Sequence, residues 1–127
     1  MPSSEPSSSV LASAARSVVA RRRISDRIVN TPLLRSCLEL PDGTGLYFKA
    51  ENFQTTGSFK FRGAMAKLTS LPPDRPLITA SSGNHGIACS LAARITGHKL
   101  TVVLPENVAR AKLAKVESFG TEVILHG

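Results

Sequence analysis

Two short segments hold the residues that could do chemistry: Thr55-Thr56-Gly57-Ser58-Phe59-Lys60-Phe61-Arg62-Gly63-Ala64 and Ser81-Ser82-Gly83-Asn84-His85-Gly86. The first opens a helix by its spacing, with Ser58 as N-cap and Lys60 in the first turn. There the partial positive potential of the helix end disfavours an ammonium, and burial would disfavour it further. A lysine held as the neutral amine is the nucleophile that Schiff-base chemistry needs. The ordinary fate of a helix lysine is exposure. Phe59 and Phe61 on either side argue against it, but periodicity does not overturn it.

The second segment joins a strand to a helix. Its backbone N–H groups precede a helix N-terminus, which suits a carboxylate or a phosphate. Asn84 adds an amide that can donate to an oxygen. The plain alternative is a strand–helix turn capped by Ser or Asn. The loop lacks G-x-G-x-x-G spacing and no phosphate-loop lysine follows it, so nucleotide binding has little support.

The surrounding pattern shows what must position these segments. Residues 1–9 are Pro/Ser-rich and expected to be disordered. Residues 10–23 read as a helix with Leu11, Ala14, Ala15, Val18 and Val19 on one stripe, docked on the fold. Residues 33–35 are extended after Thr31-Pro32, Asp42-Gly43 is a turn, and 46–50 is a strand. A helix over 58–71 puts Phe61, Met65 and Leu68 on one face and stops at Pro72-Pro73. Strand 77–80 leads to helix 84–96, with Ile87, Leu91 and Ile95 at four-residue spacing and Gly97 closing it. Strand 100–104, helix 108–119 with Ala109, Leu113 and Val116 inward, and strand 122–125 complete the chain. Short apolar strands alternating with helices predict an α/β fold with a parallel sheet and helices on both faces. Ligands of such sheets bind beyond the carboxyl ends of the strands, where residues 55–62 and 81–86 fall. The last strand has no closing helix, so an open sheet and an incomplete fold are expected.

Composition excludes several classes. No run of about 18 apolar residues spans a membrane. The net charge of +7 raises nucleic acid as a partner. Much of the excess lies in Arg16, Arg21, Arg22, Arg23, Arg27 and Arg35 against Glu5 and Asp26, without interleaved aromatics or a nucleic-acid motif. A solvated helix face with a general attraction for anions is the reading adopted. Cys37 and Cys89 read as buried, reduced thiols of a cytoplasmic protein, and no metal-ligand spacing joins them to His85, His98 or His126. A Ser/Arg-rich leader also matches a mitochondrial transit peptide; a docked first helix is simpler.

T-G-S-F-K-F-R-G-A followed by S-S-G-N-H-G resembles the fold-type II pyridoxal-phosphate (PLP) enzymes, within them the threonine dehydratase, serine racemase and hydroxyaspartate ammonia-lyase group. Thr31-Pro32-Leu33, Lys49-Ala50-Glu51-Asn52 and the closing F-G-T-E-V-I-L-H-G fit as well, from about residue 10 to the last. Arg62-Gly63 and Asn84-His85 set the chain apart from the cysteine-synthase branch. The resemblance implies the tryptophan-synthase-β-like PLP fold, incomplete at the C-terminus. Residues 10–73 would be the N-terminal part of the large domain and 74–127 an incomplete small one. It implies that Lys60 carries the cofactor as a Schiff base and then acts as base at Cα. Phe59 would pack on the pyridine ring, and Asn84 would bond its phenolic oxygen. Ser81, Ser82, Gly83, Asn84 and His85 would hold the substrate carboxylate, and Ser82 matches the opposite-face acid/base of the racemase. The implied activity is an ammonia-lyase (dehydratase) acting on a β-hydroxy amino acid such as threonine or serine. Racemisation, or a truncated non-catalytic fragment, is the alternative. The implied partner is a small amino acid, with a homo-oligomer (dimer or tetramer) in the full-length form. The family's Gly-rich phosphate loop, its residue at the pyridine nitrogen and any divalent-cation site lie further downstream than these residues reach.

Overall fold

The computed structural model describes residues 8–81 and 83–127. The leader expected over residues 1–9 lies outside the described residues up to residue 7, and Ser8 and Ser9 already belong to helix α1 (Ser8–Ile24). Only the end of α1 docks. Ile24 is buried, and Arg23 donates from Nε to Thr69 Oγ1 at 3.0 Å and from Nη2 to the Ala66 carbonyl at 2.7 Å. The stripe read as a docking face is uncovered: Leu11, Val18 and Val19 are each more than half exposed, and Ala14 and Ala15 are exposed too. Length explains the difference. The partner helix α2 (Lys60–Leu68) has 9 residues against 17 in α1, so only the last turns of α1 reach it.

Strands β1 (Leu33–Glu39) and β2 (Gly45–Lys49) form an antiparallel pair with Leu33 opposite Lys49, closed at Asp42-Gly43, where the Gly43 N–H donates to the Leu40 carbonyl. The expectation that β2 belongs to the parallel sheet is therefore corrected. Residues 40–44 are too few to bring a strand back parallel, which takes about a dozen residues or more.

Among the described residues the parallel sheet has three strands, in the order β3 (Leu77–Ala80), β4 (Leu100–Leu104), β5 (Glu122–Leu125). Helix α3 (Asn84–Thr96) links the first two strands and α4 (Arg110–Glu117) the last two. Leu100, Val102 and Leu104 are buried under these helices with Val116, and Leu77 and Val123 pack alongside. Adjacent right-handed crossovers place both helices on this face. The opposite face carries Ile78, 70% exposed, and Ile124, 45% exposed, in register with Thr101 and Val103.

One core joins the elements. Phe61, Ala64, Met65 and Leu68 of α2 meet Ala88, Ala92 and Ala93 of α3. Ile87 and the alanines make the buried stripe of α3 and Leu91 packs against it, whereas Ile95, at the end of the expected row, is 42% exposed. Small residues there let α2 approach closely. Gly97, at φ 76, closes α3 in the left-handed conformation expected of a helix-ending glycine. His98 ties that end to the chain before β3: its Nε2 donates to the Pro72 carbonyl at 3.0 Å while Nδ1 lies 2.8 Å from Thr96 Oγ1. Of the cysteines, Cys89 is buried as expected but Cys37 is exposed on β1, because the hairpin is uncovered.

Candidate functional site

Lys60 begins α2 as expected, but the cap differs. Phe59 holds the N-cap position in an α conformation with no side-chain capping bond. The Ser58 hydroxyl points elsewhere: it is buried, and neither it nor the buried Thr56 hydroxyl has a hydrogen-bond partner among the described residues. Lys60 is exposed. Its Nζ lies 5.1 Å from the centre of the Phe59 ring, itself 59% exposed, and makes no hydrogen bond or ion pair among the described residues. The flanking phenylalanines therefore do not enclose the amine. Phe61 enters the core, whereas Phe59 stays at the surface.

The loop after β3 is built around Ser81. Its Oγ accepts the N–H of Gly83 at 3.1 Å and of Gly86 at 2.9 Å. Gly86 is closely packed: a Cβ there would lie 3.3 Å from both Ser81 Cβ and Val102 Cγ1, so a larger residue would press on the loop and the sheet. Ser81 thus works as the helix cap, the plain alternative considered for this segment. The Asn84 and His85 N–H groups have no acceptor among the described residues, as expected for the first turn of a helix. The Asn84 carboxamide is exposed and likewise without a partner among them. The His85 ring turns away from the loop, with Nε2 3.2 Å from Thr79 Oγ1 and 3.6 Å from Cys89 Sγ. Only its backbone N–H remains for an anion. Burial pushes the Cys89 thiol up to about 11, so this pair is no activated nucleophile. Ser82 lies outside the described residues.

The two segments meet through their helices. Gly63, three residues after Lys60, lines the same cavity of about 220 Å³ as His85 and Cys89. No hydrogen bond joins Lys60 to the 81–86 loop among the described residues. Two features escaped the sequence reading. Lys112, in the first turn of α4, holds its ammonium over the loop, 3.2 Å from where a Cβ on Gly83 would sit, with no acidic partner among the described residues. Arg110 and Lys112 at a helix start, where acids are favoured, were the available signal. The other is an ion pair between Arg62 and Glu51, 2.8 Å from Nη2 to Oε1. Arg62 holds the Glu51 carboxyl well below the ordinary range, down to about 2, with Thr31 and Lys49 adding to the effect and burial opposing it. Among the described residues no cluster of His, Cys, Asp and Glu could hold a metal, and no helix is long and apolar enough to cross a membrane.

Residues 24–127 match the family model described as pyridoxal-phosphate dependent enzyme. The chain is 40% identical over 110 residues to L-threo-3-hydroxyaspartate ammonia-lyase of Saccharomyces cerevisiae, covering 83% of this chain and 33% of that protein. It is 40% identical over 113 residues to the catabolic L-threonine dehydratase of Staphylococcus aureus, covering 85% and 33%. Among solved structures, serine racemase from Dictyostelium discoideum superposes with a TM-score of 0.78 at 37% identity, covering 87% of this chain and 38% of that one. The chain spans about a third of the length of the curated relatives it matches.

Proposed function

Because the chain belongs to the family of pyridoxal-phosphate-dependent enzymes, we propose that it carries the lysine half of the site of an ammonia-lyase acting on a β-hydroxy amino acid such as threonine or serine. Lys60 is the cofactor lysine in this reading. One observation carries it: an exposed amine with no hydrogen bond or ion pair among the described residues begins a helix without a side-chain cap, and buried hydroxyls without partners among those residues precede it in the same loop. Buried hydroxyls in finished proteins are almost always paired. Thr56 and Ser58 therefore leave polar capacity beside Lys60, and the exposed Phe59 ring offers a face for an aromatic ring. The residues fit the family's cofactor.

PLP, when bound, supplies an electron sink for the charge that develops at the substrate Cα. The chain's own groups do the rest. Lys60 holds the cofactor and then takes the proton from Cα. Asn84 orients the ring by donating from its carboxamide. The N–H groups of Asn84 and His85 donate to the substrate carboxylate, while Ser81 fixes them by holding Gly83 and Gly86. The β-hydroxyl leaves with a proton as water, forming an enamine that tautomerises to an imine, and water then hydrolyses the imine to a keto acid and ammonia. Ser82, which by the resemblance matches the opposite-face acid/base of the racemase, is the residue through which reprotonation would give racemisation instead, a second reading favoured by the likeness to a serine racemase. The complete enzyme is read as a homo-oligomer.

Lys60→Ala in the complete protein abolishes both the absorbance of lysine-bound PLP and the turnover of L-threonine and L-serine. Retained absorbance with retained turnover sinks the assignment. Measuring keto acid against D-serine from L-serine separates lyase from racemase.

A further inference from the structure

Thr31-Pro32-Leu33 and Lys49-Ala50-Glu51-Asn52 fit the family pattern, yet the proposed chemistry uses none of their side chains. The structure brings them to one place. Glu51 lies in the short 3-10 turn after β2, and both its oxygens are taken by Arg62: Nε to Oε2 at 2.9 Å and Nη2 to Oε1 at 2.8 Å. Thr31 Oγ1 donates to the same Oε1 at 2.5 Å, and Arg62 Nη2 also reaches the Val29 carbonyl at 3.1 Å. Lys49 Nζ donates to the Thr31 carbonyl. Gln54 fixes Val29 from both sides, accepting its N–H at 2.9 Å and donating to its carbonyl at 3.0 Å.

We propose that Thr31, Glu51 and Arg62 form a clamp that positions Lys60 for the cofactor, with Arg62 as the positioning residue. Lys60 cannot fix itself. Its side chain is exposed, its helix start has no side-chain cap, and Gly57 sits shortly before it at φ 76. A helix end in that state frays. What holds the backbone at Lys60 are the two residues after it: Phe61, fully buried in the core, and Arg62, forked onto Glu51. Phe61 fixes depth. The planar fork fixes rotation about the helix axis, because two parallel bonds to one carboxylate allow a single orientation. A lysine at position 62 would keep the charge and lose that constraint.

The inference rests on Lys60 being the cofactor lysine, and the experiment separates the two. The complete PLP-loaded protein and its Arg62→Lys and Thr31→Val variants are reduced with borohydride, and the labelled peptides are mapped and quantified. PLP affinity, the pH profile of the bound-cofactor absorbance, KM, kcat and the thermal midpoint are measured alongside. The expected result is wild-type label at Lys60, and folded variants in which PLP affinity and kcat fall about tenfold while KM stays within a factor of about two. Wild-type label elsewhere than Lys60 overturns the reading of the site and the clamp with it. Label at Lys60 in the wild type, with variants that lose only thermal stability and keep affinity, pH profile and kcat, overturns the clamp alone. Should Arg62→Lys not fold, the same readouts on Thr31→Val decide.

Discussion

Lys112 shows how a single charge can matter at a site it does not belong to by sequence. Its ammonium lies over Gly83, the residue before Asn84 and His85, whose N–H groups have no acceptor among the described residues. Together they present positive potential to an incoming carboxylate. At this partly solvated place a charge of that kind is worth roughly 1 kcal/mol, so Lys112→Gln is expected to raise KM for the amino acid about fivefold. PLP attachment at Lys60 should not change, because the contact of this ammonium is with the loop at Gly83. Unchanged KM in steady-state kinetics would show that the loop amides alone bind the carboxylate. The sequence named Lys60, Phe59, Asn84 and the loop residues because each sits in a local motif. Lys112 reaches the loop only through the packing of α4 on the sheet, and no spacing rule connects residues 83 and 112.

At the scale of elements, strands β3, β4 and β5 and helix α3 occupy the residues that periodicity assigns them. Apolar runs bounded by Pro and Gly leave little freedom there. What was not legible is pairing. The antiparallel β1–β2 hairpin follows from the short 40–44 connection, which outweighs the resemblance of β2 to a buried parallel strand. The clamp between β2, α2 and the 29–31 segment was equally hidden, since its members are 11 to 33 residues apart. It carries a pH signature. Glu51 is faced by Arg62 from α2, by Lys49 from β2 and by the Thr31 hydroxyl, and its carboxyl is lowered from 4.5 to about 2. A lowered acid contributes stability above its unfolded value and loses it as pH falls through its folded value. The pair should therefore stabilise fully above about pH 5 and fade between 4.5 and about 2. Glu51→Gln is expected to lose about 1–3 kcal/mol at neutral pH, less towards pH 2, by denaturant unfolding across that range. A loss independent of pH would mean that the carboxylate charge is not what holds Arg62.

For the whole molecule, the decisive fact is how much apolar surface the 127 residues leave open. Val18 and Val19 on α1, Leu33, Leu38 and Phe48 on the hairpin, and Ile78 and Ile124 on the bare sheet face are all 45–70% exposed. Single exposed apolar residues are ordinary, but contiguous ones mark surfaces that find partners. On the sheet, Ile124 lies opposite Val103 of β4, and Ile78 lies opposite Thr101 in the next row of the same face, diagonal to Val103, so the apolar band is staggered and sits beside strand edges without a partner among the described residues. Unpaired edges add backbone groups that pair with a second chain. The isolated 127-residue chain should therefore self-associate as concentration rises, visible as increasing sedimentation coefficients over the micromolar range. Ile78→Thr with Ile124→Thr keeps the β-branched shape that strands favour while removing much of the apolar band. That double variant should shift association to concentrations roughly tenfold higher, the effect of weakening contact by about 1.4 kcal/mol. If the double variant associates like the parent, the sheet face is not the contact, and the α1 stripe and the hairpin are the surfaces to substitute next. If the parent stays monomeric throughout, the bare face is not a sticky surface in solution.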